Sequence, residues 1–194
     1  PHLFPSPLRT LPEKQMNCTR RQLAALTLLS AVLIALQLLL MQILAISQWH
    51  HFAYLVISTA LLGFGSSGSW CLLHRQTLLP LLIFCTAASI ASLGWLGQPL
   101  LNGFDSQLLF FAGEQLLRLS IVILCYLLPF LLGASAIGLL FICQTEQIGK
   151  LYFANLFGSG LGGILALSLF WQLPVEQIFA ILSLLILLSG TLVL

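Results

Sequence analysis

Charge is scarce in this chain. Lys plus Arg number 7 and Asp plus Glu 5 among 194 residues, 6% in all, where soluble domains carry about 25%. With 59% hydrophobic residues and a mean hydropathy of +1.06, no water-soluble fold could hide the apolar surface. The net charge is only +2, and no basic run is suited to nucleic acid, which is excluded as a partner. The apolar runs lack a firmly embedded Asp, Glu, Lys or Arg, groups that proton- or ion-coupled carriers often use. Paired carboxylates, a His-x-x-x-His pair and a serine–histidine set at a common depth are missing too, so no catalytic residue is expected. The 5 cysteines (Cys18, Cys71, Cys85, Cys125 and Cys143) include no C-x-x-C pair. They read as small apolar packing residues, with no metal site and no cofactor in this chain.

What is present is long apolar runs. They predict an all-α fold, a polytopic membrane helix bundle with six transmembrane helices in the lipid bilayer. The expected spans are about 22–47, 52–73, 78–96, 119–143, 150–172 and 174–194, each near the roughly 20 residues that cross a bilayer. Residues 1–21 form a polar N-terminal segment with Arg9, Lys14, Arg20 and Arg21. Gly97, Pro99, Asn102 and Gly103 are expected to break structure and open a loop over 97–118. Within that loop the stretch up to Arg118 suits a short helix lying in the interface. Pro129 should kink the fourth span by freeing the Cys125 carbonyl. With the N-terminus inside, Arg9, Lys14, Arg20, Arg21, Arg75 and Lys150 all face the cytoplasm and Arg118 alone faces out. That satisfies the positive-inside rule and puts the C-terminus in the cytoplasm as well.

The stretch Lys150 to Trp171 carries the most pattern. Ala154, Gly158, Gly162 and Ala166 recur every fourth position, forming one smooth helical stripe that lets a neighbour approach closely. Gly160 and Gly163 are expected to widen it. Thr59, Gly63, Ser67 and Cys71 form a second such stripe in the second span, and Gly68 is assigned to packing with Gly63, Gly158 and Gly162. Both spans contain G-x-G-x-x-G, but the dinucleotide fingerprint needs a preceding strand and a later acidic residue, so that function is excluded. Asn155 and Tyr152, with Gln37 and Gln42, are the candidate polar residues within the membrane. They would bond across helices or line a solute pathway. His50 and His51 are interfacial candidates; adjacent histidines point to different helix faces and chelate poorly.

The second and fifth spans occupy the same place in each half and cross in opposite directions, the pattern of a three-plus-three inverted repeat. The phrases H-H-F-A-Y-L-V-I-S-T-A-L-L-G-F-G-S-S-G-S-W (His50 to Trp70) and G-K-L-Y-F-A-N-L-F-G-S-G-L-G-G (Gly149 to Gly163) resemble the membrane region of bacterial spermidine-synthase-like integral membrane proteins. In that family a major-facilitator-like region precedes a cytoplasmic domain similar to aminopropyltransferases and methyltransferases that use S-adenosylmethionine derivatives. The resemblance implies a bacterial inner-membrane domain that anchors or serves such a domain in cis. The chain begins without methionine and ends inside an apolar run, so continuation past Leu194 is expected. Catalytic and nucleotide-binding groups would then lie beyond Leu194, and no residue here inherits them. The alternative is a small major-facilitator-like transporter, or a half-transporter working as a homodimer.

Overall fold

The computed structural model describes residues 20–47, 52–71, 78–102 and 113–193. They form six α-helices: α1 (Arg20–Ser47), α2 (Phe52–Cys71), α3 (Leu79–Asn102), α4 (Gly113–Cys143), α5 (Ile148–Gln172) and α6 (Val175–Val193). A 3-10 turn over Thr145–Gln147 joins α4 to α5. Among the described residues there is no strand. Five helices are long and apolar enough to cross a membrane, and α2 adds the shorter apolar stretch Tyr54–Gly68. The chain is therefore a multi-pass helical membrane protein, as its hydropathy predicts.

Two boundaries differ from expectation. The third helix does not stop before Gly97; α3 continues to Asn102. The N–H that Pro99 lacks falls in the last turn, where few later bonds depend on it. In addition, residues 113–118 are not part of a separate interfacial helix. They are the first turns of α4, a 31-residue helix that runs without interruption to Cys143. No glycine or proline lies between Glu114 and Ser120 to break it, and Glu114 sits in the first turn, where the helix dipole favours an acid. The helix also runs through Pro129, which is buried. His50 and His51 lie outside the described residues.

Helix α1 is the centre of the bundle. Leu26, Leu29, Val32, Leu33, Leu36, Leu39 and Leu40 are all at most 2% exposed, which is buried nearly all round. The broadest interfaces are α1 with α5 and α2 with α4; α3 with α6, α3 with α4 and α1 with α6 follow. Directions follow from paired positions. Gly158 lies on Thr27 and Gly162 on Ala31, so α1 and α5 run parallel. Gly94 meets Phe179 while Gly190 meets Phe84, so α3 and α6 run antiparallel. Gln144 bonds Gln22 and Gly133 faces Leu33, so α4 opposes α1.

These directions sort the ends of the bundle. Arg20, Arg21 and Lys150 share one end. Trp95 and Trp171, 85% and 92% exposed, lie at the other, near the first turns of α6. Exposed indoles at a helix end suit the headgroup layer. Hydroxyls inside the helices are mostly satisfied locally. Thr27, Ser58, Thr86, Ser135 and Ser168 each donate to a carbonyl four residues back, at 2.7–3.0 Å, which lets these residues sit in an apolar setting.

Candidate functional site

The seam between α1 and α5 gathers most of the chain's unusual chemistry. The buried residues of α5 are Leu151, Ala154, Gly158, Gly162 and Ala166, which is the four-residue stripe plus one leucine below it. A Cβ on Gly158 would run into the Thr27 carbonyl oxygen, and one on Gly162 into that of Ala31. Backbone therefore lies against backbone at two points about one helical turn apart. No described glycine takes a positive φ, so steric room, not backbone conformation, is the reason for glycine here.

The second stripe works similarly on α2. Thr59, Gly63 and Ser67 are buried. A Cβ on Gly63 would lie 2.8 Å from the Phe130 Cβ and 3.0 Å from the Leu131 nitrogen. The α2–α4 seam thus closes just past Pro129, where Phe64 and Phe130 rings stand 6.5 Å apart. The remaining glycines of the two patterns behave differently. Among the described residues, Gly68 has nothing within 4 Å of an added Cβ, and the same holds for Gly65, Gly160 and Gly163. Among the described residues, nothing therefore packs on Gly68, Gly160 or Gly163 in the way expected of them. These residues lie off the four-residue rows that face a neighbouring helix.

Asn155 is half-buried beside the stripe. The Ser30 hydroxyl donates to its Oδ1 at 2.6 Å and shares its proton with the Leu26 carbonyl at 2.9 Å. One turn on, the Ser159 hydroxyl donates to the Asn155 carbonyl at 2.9 Å. Two more polar contacts tie α1 to its neighbours. The Ser189 hydroxyl of α6 donates to the Ala25 carbonyl at 2.8 Å. The Gln144 amide donates to Gln22 Oε1 at 2.6 Å, while Gln144 Oε1 is buried without a hydrogen-bond partner. Sequence reasoning picked out Asn155 but missed Ser30, Gln22, Gln144 and Ser189. Serines and a terminal glutamine are too common in membrane helices to stand out before their partners are known.

The other candidates do not join this set. Tyr152 is 60% exposed, Gln37 is half-buried and Gln42 is exposed. Among the described residues, Asn155 alone of these four has a side-chain hydrogen bond. No three His, Cys, Asp or Glu side chains stand close enough to hold a metal ion, again among the described residues. Cys85 is exposed and Cys125 and Cys143 are half-buried, all three free.

Beside the seam, at the basic end, α1 and α5 line a groove of about 410 Å³. Leu23, Ala24 and Thr27 form its α1 wall. Phe153 and Phe157 form the α5 wall, with Gly149 and Ala154 as the slim floor and Lys150 at the mouth. The two phenylalanine rings stack, 5.9 Å apart and 10° from parallel. Chemically, the region offers an apolar slot capped by one ammonium group. No protein-family model, curated protein or solved structure matches this chain.

Proposed function

We propose that this chain is the membrane domain of a spermidine-synthase-like protein, anchoring or serving a cytoplasmic transferase-like domain that acts on S-adenosylmethionine derivatives. In this reading it is a six-span, major-facilitator-like half bundle in the bacterial inner membrane. The α2 helix, 20 residues long, reaches about 30 Å and completes the six. Arg20, Arg21 and Lys150 at one end favour placing that end, and both termini, in the cytoplasm.

A three-plus-three inverted repeat is part of the proposal, and the helix pairing supports it. Exchanging α1 with α4, α2 with α5 and α3 with α6 turns the α1–α5 seam into α4–α2, the two broadest interfaces. The same exchange turns α3–α4 into α6–α1, both present, and α3–α6 into itself. It even carries the Gly94–Phe179 contact onto Gly190–Phe84. Opposite helix directions in the two halves make such a repeat inverted.

The observation that favours a membrane module over a carrier is where the interior polar groups go. Ser30 and Asn155, Gln22 and Gln144, and Ser189 and the Ala25 carbonyl are spent holding helices together. The test is on the native gene product. A product extended by a cytoplasmic domain that binds an S-adenosylmethionine derivative by calorimetry is the expected result. A product ending within a few residues of Leu194 overturns the transferase link.

The inverted pairing also favours a second reading, a small transporter or half-transporter working as a dimer. On that reading Asn155→Leu and Gln37→Leu abolish solute uptake by the protein in vesicles, with uptake normalised to the amount of folded protein. Unchanged uptake would count against it.

A further inference from the structure

We propose that the groove between α1 and α5 is a binding site for one anionic phospholipid, with an acyl chain in the slot and the phosphate on Lys150. This goes beyond the proposed function and does not depend on it.

The shape fits such an occupant first. At about 410 Å³ the groove lies within the roughly 300–1,000 Å³ of small-molecule sites. Its walls are Leu23, Ala24, Thr27, Phe153 and Phe157. The Thr27 hydroxyl is turned back onto the Leu23 carbonyl at 2.9 Å, so it makes no polar demand on a chain lying there. The stacked pair of Phe153 and Phe157 gives the α5 wall a broad apolar surface.

The charge fits second. Lys150 is exposed at the mouth, and its one described hydrogen bond is a long one, 3.5 Å to Gln147 Oε1. An ammonium carries three donors, so two or more are available for phosphate oxygens. Because α1 and α5 run parallel, the exposed Arg20 and Arg21 open α1 at the same end. Among the described residues, Glu146, on the preceding 3-10 turn, is the acidic group at this end, and Arg20, Arg21 and Lys150 outnumber it. A zwitterionic headgroup would bring its own cation to this basic end and gain little there. An anionic headgroup gains about a factor of five for each interfacial cation.

The experiment is native mass spectrometry of the detergent-purified protein given equal amounts of phosphatidylglycerol and phosphatidylcholine with matched chains. The wild type should retain phosphatidylglycerol preferentially. Lys150→Gln should lower that preference about fivefold, while Lys150→Arg should keep it. Ala24→Phe fills the slot without changing charge and should reduce retention of both lipids; Ala24→Leu serves if the larger side chain impairs folding. Ala24 and Lys150 are both exposed, so neither substitution reaches the bundle interior. Excess inorganic phosphate should not displace the lipid. An unchanged ratio in Lys150→Gln, undiminished retention when Ala24 is enlarged, or displacement by phosphate alone would each overturn the proposal.

Discussion

Replacing Gly158 by alanine probes the seam at its tightest point. The added methyl would meet the Thr27 carbonyl oxygen, which belongs to helix backbone and cannot rotate away. Relief requires α1 and α5 to move apart. Inside lipid the seam is held by close packing, since apolar burial gives no advantage there. Moving the helices apart therefore costs contact along the whole stripe. Overpacking of this kind costs about 1–3 kcal/mol. Against it stands the helix-propensity gain of Gly→Ala, about 1 kcal/mol in water. Gly160→Ala isolates the difference. Gly160 lies two positions away in the same helix, and nothing stands within 4 Å of its built Cβ. The propensity gain is common to both variants and cancels. Gly158→Ala should thus be about 1–3 kcal/mol less stable than Gly160→Ala in reversible unfolding by sodium dodecyl sulfate from mild detergent. Adding Gly162→Ala to Gly158→Ala should cost less than the sum of the two, because one separation of the helices relieves both clashes. Equal stability of the Gly158 and Gly160 variants would refute the reasoning.

Other outcomes follow from the same geometry. On α2, Gly63→Ala should destabilise the fold by about 1–3 kcal/mol while Gly68→Ala should not, as read by thermal melting in detergent. On the α3–α6 seam, Gly94→Ala should cost more than Gly190→Ala. The first meets the fixed Phe179 Cβ at 2.9 Å and the second the Phe84 ring at 3.1 Å, which can swing aside. A double-mutant cycle of Ser30→Ala and Asn155→Leu should return a coupling of about 0.6 kcal/mol, up to about 1.7; zero coupling would mean the two side chains do not depend on each other. Ser189→Ala should cost a similar amount through its lost bond to Ala25, measured in the same unfolding assay.

Apolar length and small-residue spacing fixed the helices from sequence alone. Runs of this hydropathy have few ways to satisfy their backbone other than as spanning helices, so α1, α2, α5 and α6 fall close to where the sequence places them. The stripe of Ala154, Gly158, Gly162 and Ala166 was legible because a four-residue repeat of small side chains needs no partner to be seen. Sequence could not say which helix covers which face. In lipid the outward faces are as apolar as the inward ones, so no polar–apolar contrast marks the packed side. Gly160 and Gly163, off the four-residue row, were expected to widen it for that reason, and Gly68 was assigned to packing with Gly63. Only the packed bundle shows which face is covered: Gly158 lies against the α1 backbone, while among the described residues Gly160 and Gly68 have no neighbour within 4 Å of an added Cβ. The polar ties depended on tertiary structure even more. Ser30 and Asn155 are 125 positions apart in the chain and Gln22 and Gln144 are 122 apart. Nothing local marks either pair, because each exists only where the parallel run of α5 and the antiparallel run of α4 bring them level with α1.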